Sequence, residues 1–147
     1  MSDSELLKLY SRRILALAAE MPRTNRLDAP SATVKKRAPL CGSTVTVDMV
    51  VVDGVVTAYG QDVKACALGQ AAAAVVGSVI VGCTTTQIFA ARDQLKAMLK
   101  AAGPIPNPPF EGLEVLIPAR DYKNRHDSIL LALNASVEAI EEIAANA

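Results

Sequence analysis

The sequence predicts an α+β domain, with helices packed on one face of a small antiparallel sheet. Three observations carry that expectation. Two valine- and threonine-rich runs, 44–52 and 55–63, flank Asp53-Gly54, a pair suited to a type I′ turn in which both central residues have positive φ. Apolar residues recur at helical spacing before this hairpin and again after it. The length, 147 residues, suffices for one core without disulfide staples, so residues 1–147 are read as a single domain.

The elements follow in order. From Ser4 to Met21, residues Leu6, Leu7, Tyr10, Ile14, Leu15, Leu17 and Ala18 keep helical spacing, with Ser4 as the N-cap and Pro22 as the stop. Arg23 to Ser31 is polar and proline-bearing, an irregular connection. Ala32 to Arg37 reads as a short edge strand, closed off by Pro39. In the hairpin, Thr44–Val52 and Val55–Val63, a two-residue turn pairs Val52 with Val55 and Val45 with Asp62, and brings Ser43 close to Val63.

A helix is expected over Cys66 to Val81, ended by Gly82, and another over Gln87 to Ala102, capped from Thr84 to Thr86 and stopped by Gly103-Pro104. Gly103 to Pro109 holds four prolines in seven residues, a stiff connector. Phe110 to Arg120 is short and only partly periodic. A last helix starts within Asn124 to Asp127 and runs to about Ala144.

Composition excludes several functions. Fifteen basic and 15 acidic residues leave no net charge to steer the chain onto nucleic acid. Aromatic residues make up 3%, and tryptophan is absent, so base-stacking platforms are disfavoured. The most apolar stretch, Ala65 to Cys83, is interrupted by Gly69, Gln70, Gly77 and Ser78 and reads as a buried helix, not a membrane span. Met1-Ser2-Asp3-Ser4-Glu5 lacks the basic and apolar regions of a signal peptide, and three cysteines are an odd number. The expected compartment is a reducing cytoplasm, with the cysteines as thiols or ligands.

The chemistry centres on Pro39-Leu40-Cys41-Gly42-Ser43 and Lys64-Ala65-Cys66-Ala67-Leu68-Gly69. Both lie at strand ends, and the hairpin between them turns a separation of 25 positions into a short distance. Thiolates and imidazole are the preferred donors for zinc and iron–sulfur centres. The single histidine, His126, opens a helix beside Asp127 and Ser128. A helix N-terminus favours anionic sulfur or carboxylate nearby, and Cys66 at its own helix start gains the same benefit. Each residue also has a plainer reading. Cys83 is a small buried hydrophobe, and the same reading stays open for Cys41 and Cys66; His126, Asp127 and Ser128 serve equally as helix-start residues. No HExxH, phosphate-binding glycine loop or CxxC is present.

Cys41-Gly42-Ser43, the valine-rich hairpin and Ala65-Cys66-Ala67-Leu68-Gly69-Gln70-Ala71-Ala72 resemble the U-type iron–sulfur cluster scaffold family, comprising IscU, SufU and the N-terminal domain of NifU. Phe110-Glu111-Gly112-Leu113, the run from Arg120 to Arg125 and Leu131 look most like the SufU branch. The similarity runs from the first helix to the last. It implies a three-stranded sheet with helices and a surface site at one end that takes zinc or a nascent 2Fe–2S cluster. Sulfur would come from a cysteine desulfurase, and recipient apo-proteins would take the cluster.

The departures from the family pattern are specific. The family's Cys-Gly-Asp motif has Ser43 in place of the aspartate, and its third cysteine, at the start of the last helix, aligns with Ser128. Asp127 then takes the position that is histidine in the IscU branch; a shift of one or two residues would instead put His126 there and Asp127 at the cysteine. Cys41 and Cys66 carry over, and His126, Asp127 and Ser128 are candidate replacements. A neutral hydroxyl is a poor ligand, whereas two thiolates with Asp127 or His126 and a water would suit zinc. A 2Fe–2S cluster needs four terminal ligands, more than one such chain supplies unless a second copy or a partner completes the set.

The resemblance thus implies a non-enzymatic scaffold or carrier, a monomer or weak homodimer, binding iron, zinc or a labile 2Fe–2S cluster through Cys41 and Cys66. Two alternatives stand beside it. One is a zinc-dependent sulfur acceptor working with a desulfurase; the other is a degenerate interaction module without metal. No partner on nucleic acid or in a membrane is expected.

Overall fold

The computed structural model describes residues 12–147. Residues 12–19 (α1) are helical and a turn follows at Glu20, ahead of Pro22 as expected; the helix start assigned to Ser4 lies outside the described residues. Strands β1 (Ala32–Arg37), β2 (Thr44–Val52) and β3 (Val55–Lys64) form one antiparallel sheet with β2 in the centre and β1 at an edge. Helices α2 (Ala67–Val79), α3 (Thr85–Lys100) and α4 (His126–Ala145) follow, with a 3-10 stretch, Glu111–Asp121, between α3 and α4. The α+β class and the three-stranded sheet expected from the sequence are both present.

The β2–β3 turn has the predicted chemistry, with φ of 51° at Asp53 and 75° at Gly54. Its register departs from expectation by one residue. Val51 pairs with Val56 but Val50 pairs with Ala58, so Thr57 is an extra residue in β3. This bulge carries through the ladder and sets Val45 opposite Val63, not Asp62, and Thr44 opposite Lys64.

Helix boundaries also moved. Thr84 caps α3 through a reciprocal pair: its hydroxyl accepts from the Gln87 N–H at 3.1 Å, and Gln87 Oε1 accepts from the Thr84 N–H at 2.8 Å. Because Gln87 fills the third helical position of this capping box, the helix begins at Thr85. The partly periodic segment after Phe110 is 3-10 and buries Leu113, Val115, Leu116 and Ala119. Among the described residues no helix is long and apolar enough to cross a membrane.

One sheet face carries Val34, Val45, Val47, Met49 and Tyr59, all buried, and α4 lies across it. Tyr59 Oη and Ser136 Oγ, 3.3 Å apart, tie the two layers, and burial pushes the Tyr59 hydroxyl up to about 12. Ala71 to Ala74 present small side chains that let α2 approach closely.

The opposite face is closed at Asp48, which is fully buried. Its carboxylate accepts from Arg26 Nη2 at 3.0 Å, the Leu27 N–H at 3.0 Å and Thr33 Oγ1 at 2.6 Å, as well as from Arg26 Nε. Burial alone would raise this carboxyl; the Arg26, Thr33 and Leu27 hydrogen bonds outweigh it and hold Asp48 below its ordinary value. A folded-state pKa below the unfolded one means that the native state binds fewer protons. The stabilisation is therefore complete above the unfolded carboxyl's pKa, about 3.9, and is lost as pH falls through the folded value. Arg26→Ala should move the acid-unfolding midpoint to higher pH, read by circular dichroism across an acid titration.

Candidate functional site

The six residues 38–43 connect β1 to β2, and Cys41 sits in this loop. The loop is pinned by Ala38 N–H to Ser43 O at 2.8 Å and Gly42 N–H to Ala38 O at 2.9 Å. Gly42 has φ of 72°, a left-handed turn that folds Ser43 back toward Cys41. At the same end of the sheet, β3 leaves at Lys64 opposite Thr44, and Cys66 becomes the N-cap of α2 with extended backbone. Helix α4 enters from the third side with Ser128 in its first turn.

These three elements bring four side chains into one hydrogen-bonded chain. Cys41 Sγ lies 3.1 Å from Ser43 Oγ, Ser128 Oγ donates to Ser43 Oγ at 3.0 Å, and Cys66 Sγ lies 3.5 Å from Ser128 Oγ. The donor assignment gives the chain a direction. With the Ser128 proton committed to Ser43, the Ser43 proton is free for Cys41, and Ser128 is left to accept from the Cys66 thiol. Cys41 thus sits at the accepting end of the chain and Cys66 at the donating end.

The electrostatics agree. The Ser43 hydroxyl, followed by its backbone N–H, is the largest influence on Cys41 and holds its thiol below the ordinary value; Ser128 and the Arg125 charge act in the same direction, against a smaller upward push from burial. The two serines are buried, at 4% and 2% exposure, whereas both cysteines are partly exposed. The hydroxyls form the floor and the sulfurs the rim. Leu40, beside Cys41, is 70% exposed. Ser43→Ala removes the principal donor to Cys41, so its thiol pKa should rise and its iodoacetamide alkylation at neutral pH should slow several-fold.

Close approach of α2 to α4 depends on Gly69. A Cβ at this position would overlap Ser128 Oγ and lie 3.2 Å from the Ser128 carbonyl oxygen and 3.0 Å from Ala65 Cβ. No residue other than glycine leaves Ser128 in place.

The other candidates fall elsewhere. His126 is buried, with Nε2 donating to the carbonyls of Ala119 at 3.0 Å and Arg120 at 3.2 Å, so it ties α4 to the 3-10 stretch before it. Asp127 lines a cleft against α3 with Arg92, Lys96 and Lys100. Among the described residues no three His, Cys, Asp or Glu side chains come together as a metal-holding group. Cys83 is buried, donates to Val79 O at 3.2 Å, and has its thiol pushed up by burial, as befits a core residue. Two features went unread in the sequence: the direction of the hydroxyl chain, and the role of Gly69, for which the Cys66-x-x-Gly69 spacing at a helix start was the available signal.

The geometry defines a class: a sheet-and-helix domain with paired, hydroxyl-linked cysteines where two loops meet a helix N-terminus. Comparison with protein-family models and with curated proteins gives no match. Among solved structures, the chain is similar to the N-terminal part of a nitrogen-fixing NifU-like protein from Brucella abortus. It is 43% identical to it over 94% of this chain and 96% of that one, with a TM-score of 0.91. A hypothetical protein (20% identity, 91% and 98% covered, TM-score 0.78) and a candidate iron–sulfur cluster assembly scaffold of the SUF system from Fervidobacterium islandicum AW-1 (15%, 87% and 93%, 0.77) share the fold. The chain belongs to the U-type, NifU-like family.

Proposed function

We propose that this protein is an iron–sulfur cluster assembly scaffold or carrier whose cargo is held through Cys41 and Cys66. The observation that supports this reading is the meeting of the two thiols at the ends of one buried hydroxyl chain, on the fold of the NifU-like family. Soft sulfur donors at a partly exposed rim suit iron, zinc or a labile 2Fe–2S cluster that must be handed on. The protein turns over no small molecule; a cysteine desulfurase supplies sulfur, recipient apo-proteins take the cluster, and the cytoplasm keeps the thiols reduced. His126 and Asp127 are left out of the ligand set: the His126 ring is bonded to the Ala119 and Arg120 carbonyls, and Asp127 lines the cleft against α3.

Anaerobic incubation with ferrous iron, cysteine, a desulfurase and dithiothreitol, which supplies the electrons that reduce the delivered sulfur to sulfide, tests this. The expected result is a visible-absorbing chromophore that transfers to an apo-ferredoxin and is lost in Cys41→Ser and Cys66→Ser. A colourless protein under all these conditions would contradict it.

A second reading is favoured by the depressed Cys41 thiol: a zinc-loaded sulfur acceptor in which Cys41 receives persulfide sulfur. Stimulation of desulfurase turnover by the zinc-loaded protein, without cluster transfer, would select it.

A further inference from the structure

We propose that two joined clefts between α3 and the start of α4 form a docking groove for an extended acidic segment of a partner protein. This goes beyond the scaffold reading and uses neither Cys41 nor Cys66. Arg92, Lys96 and Lys100 recur every four residues, so they share one face of α3. All three line the first cleft, opposite Asp127, Leu130 and Asn134 of α4. Lys100 also lines the second cleft, with Leu99, Arg120, Lys123 and the buried His126. Among the described residues no acidic side chain borders that second cleft. The shared lysine makes the two clefts one continuous groove.

The cations are available to a partner. Among the described residues Lys96, Lys100 and Lys123 make no ion pair, and Arg92 pairs only with its exposed neighbour Asp93. Arg120 Nε donates to Met98 O at 2.6 Å and Nη2 to Gly103 O at 2.9 Å, which fixes the guanidinium and leaves Nη1 unbonded. Asp93 and Asp127 are the carboxylates of the groove, set against Arg92, Lys96, Lys100, Arg120 and Lys123. The whole chain balances 15 basic against 15 acidic residues, so this surplus is local. Spacing then selects the occupant. Four helical residues advance about 6 Å, and alternate residues of an extended chain lie about 6.7 Å apart on one side. Carboxylates at alternate positions therefore meet Arg92, Lys96 and Lys100 in step, and the second cleft continues the path to Lys123. A lone phosphate would satisfy one end only. Asp127 and Ser128 are successive residues of α4 and point to different sides, so a partner held here leaves the Cys41 and Cys66 rim open.

The test uses the full chain and a short fluorescein-labelled peptide of alternating glutamate and glycine, read by fluorescence anisotropy. Saturable binding at low ionic strength is expected, weakening as salt screens the exposed charges. Lys96→Glu and Lys100→Glu should each weaken it about five-fold, since each loses an exposed ion pair and gains a repulsion. Asp127→Asn, which removes a carboxylate from the groove, should tighten binding about two-fold. Lys35→Glu, exposed on β1, and Cys41→Ser should bind as the wild type does, all variants keeping its circular dichroism spectrum. No binding at low ionic strength would overturn the groove. So would an equal loss in Lys35→Glu, which would mean diffuse attraction, or weaker binding by Asp127→Asn. Displacement of the peptide by an equal concentration of inorganic phosphate would mean a compact anion pocket and overturn it too. None of these results bears on the scaffold reading, which cluster formation tests separately.

Discussion

Ser128→Cys combined with Ser43→Asp, which adds two donors, is expected to tighten zinc binding about 10,000-fold and to hold the metal within one chain. Structural zinc sites with four donors are worth about 10–16 kcal/mol, so each added donor contributes roughly 3 kcal/mol, or about two decades in affinity. The geometry already suits the change. Ser128 Oγ lies 3.5 Å from Cys66 Sγ, and Ser43 Oγ lies 3.1 Å from Cys41 Sγ, so substitutions at these positions place donors beside the two sulfurs. Cysteine differs from serine by one atom, and the Ser128 site is set by the helix backbone and not by its hydroxyl. Competition titration against a chromophoric chelator reads the affinity, and native mass spectrometry the stoichiometry. Unchanged affinity would mean that the floor of the site does not face the metal.

Gly69→Val is expected to destabilise the fold by about 3 kcal/mol, within the range for overpacking a filled core, and to disconnect the two cysteines. The backbone carbonyl of Ser128 and the Ala65 side chain both stand in the way of a side chain at position 69. Serine can rotate its hydroxyl aside; the carbonyl belongs to α4 and moves only with the helix. A fall in Tm of roughly 6–12 °C should accompany the change. The second consequence is specific to the site. Once Ser128 is displaced, Ser43 and Cys41 lose one donor, so the Cys41 thiol pKa should rise in the milder Gly69→Ala as well. A destabilised variant with an unaltered Cys41 pKa would show that the hydroxyl chain does not act on the thiolate.

Much of the fold was legible because short-range rules decide it. Asp53-Gly54 fixes the hairpin turn, Pro22 and Gly103-Pro104 stop helices, and Thr84 with Gln87 caps one. The one-residue slip in the β2–β3 register was not legible. A bulge at Thr57 answers to packing of Tyr59 and Gln61 against α4 and α2, contacts that no local pattern near Thr57 encodes. The site was legible in part for the same reason. The hairpin predicts that the Cys41 and Cys66 loops meet, since sheet geometry fixes the distance between strand ends. Which residue of α4 joins them depends on the rotation of that helix. Successive residues turn by about 100°, so with Ser128 directed at Ser43, His126 points to the opposite side, where the Ala119 and Arg120 carbonyls receive it. The sequence offers His126, Asp127 and Ser128 as equals; only the packing of α4 on the sheet separates them.

Elemental analysis of protein purified without chelator or affinity tag, repeated on Cys41→Ser and Cys66→Ser, tests most directly whether the two cysteines form one metal site. Zinc or iron in the wild type, lost in both variants with the fold intact, is the expected result. Metal retained by either variant, or none in the wild type, would contradict it.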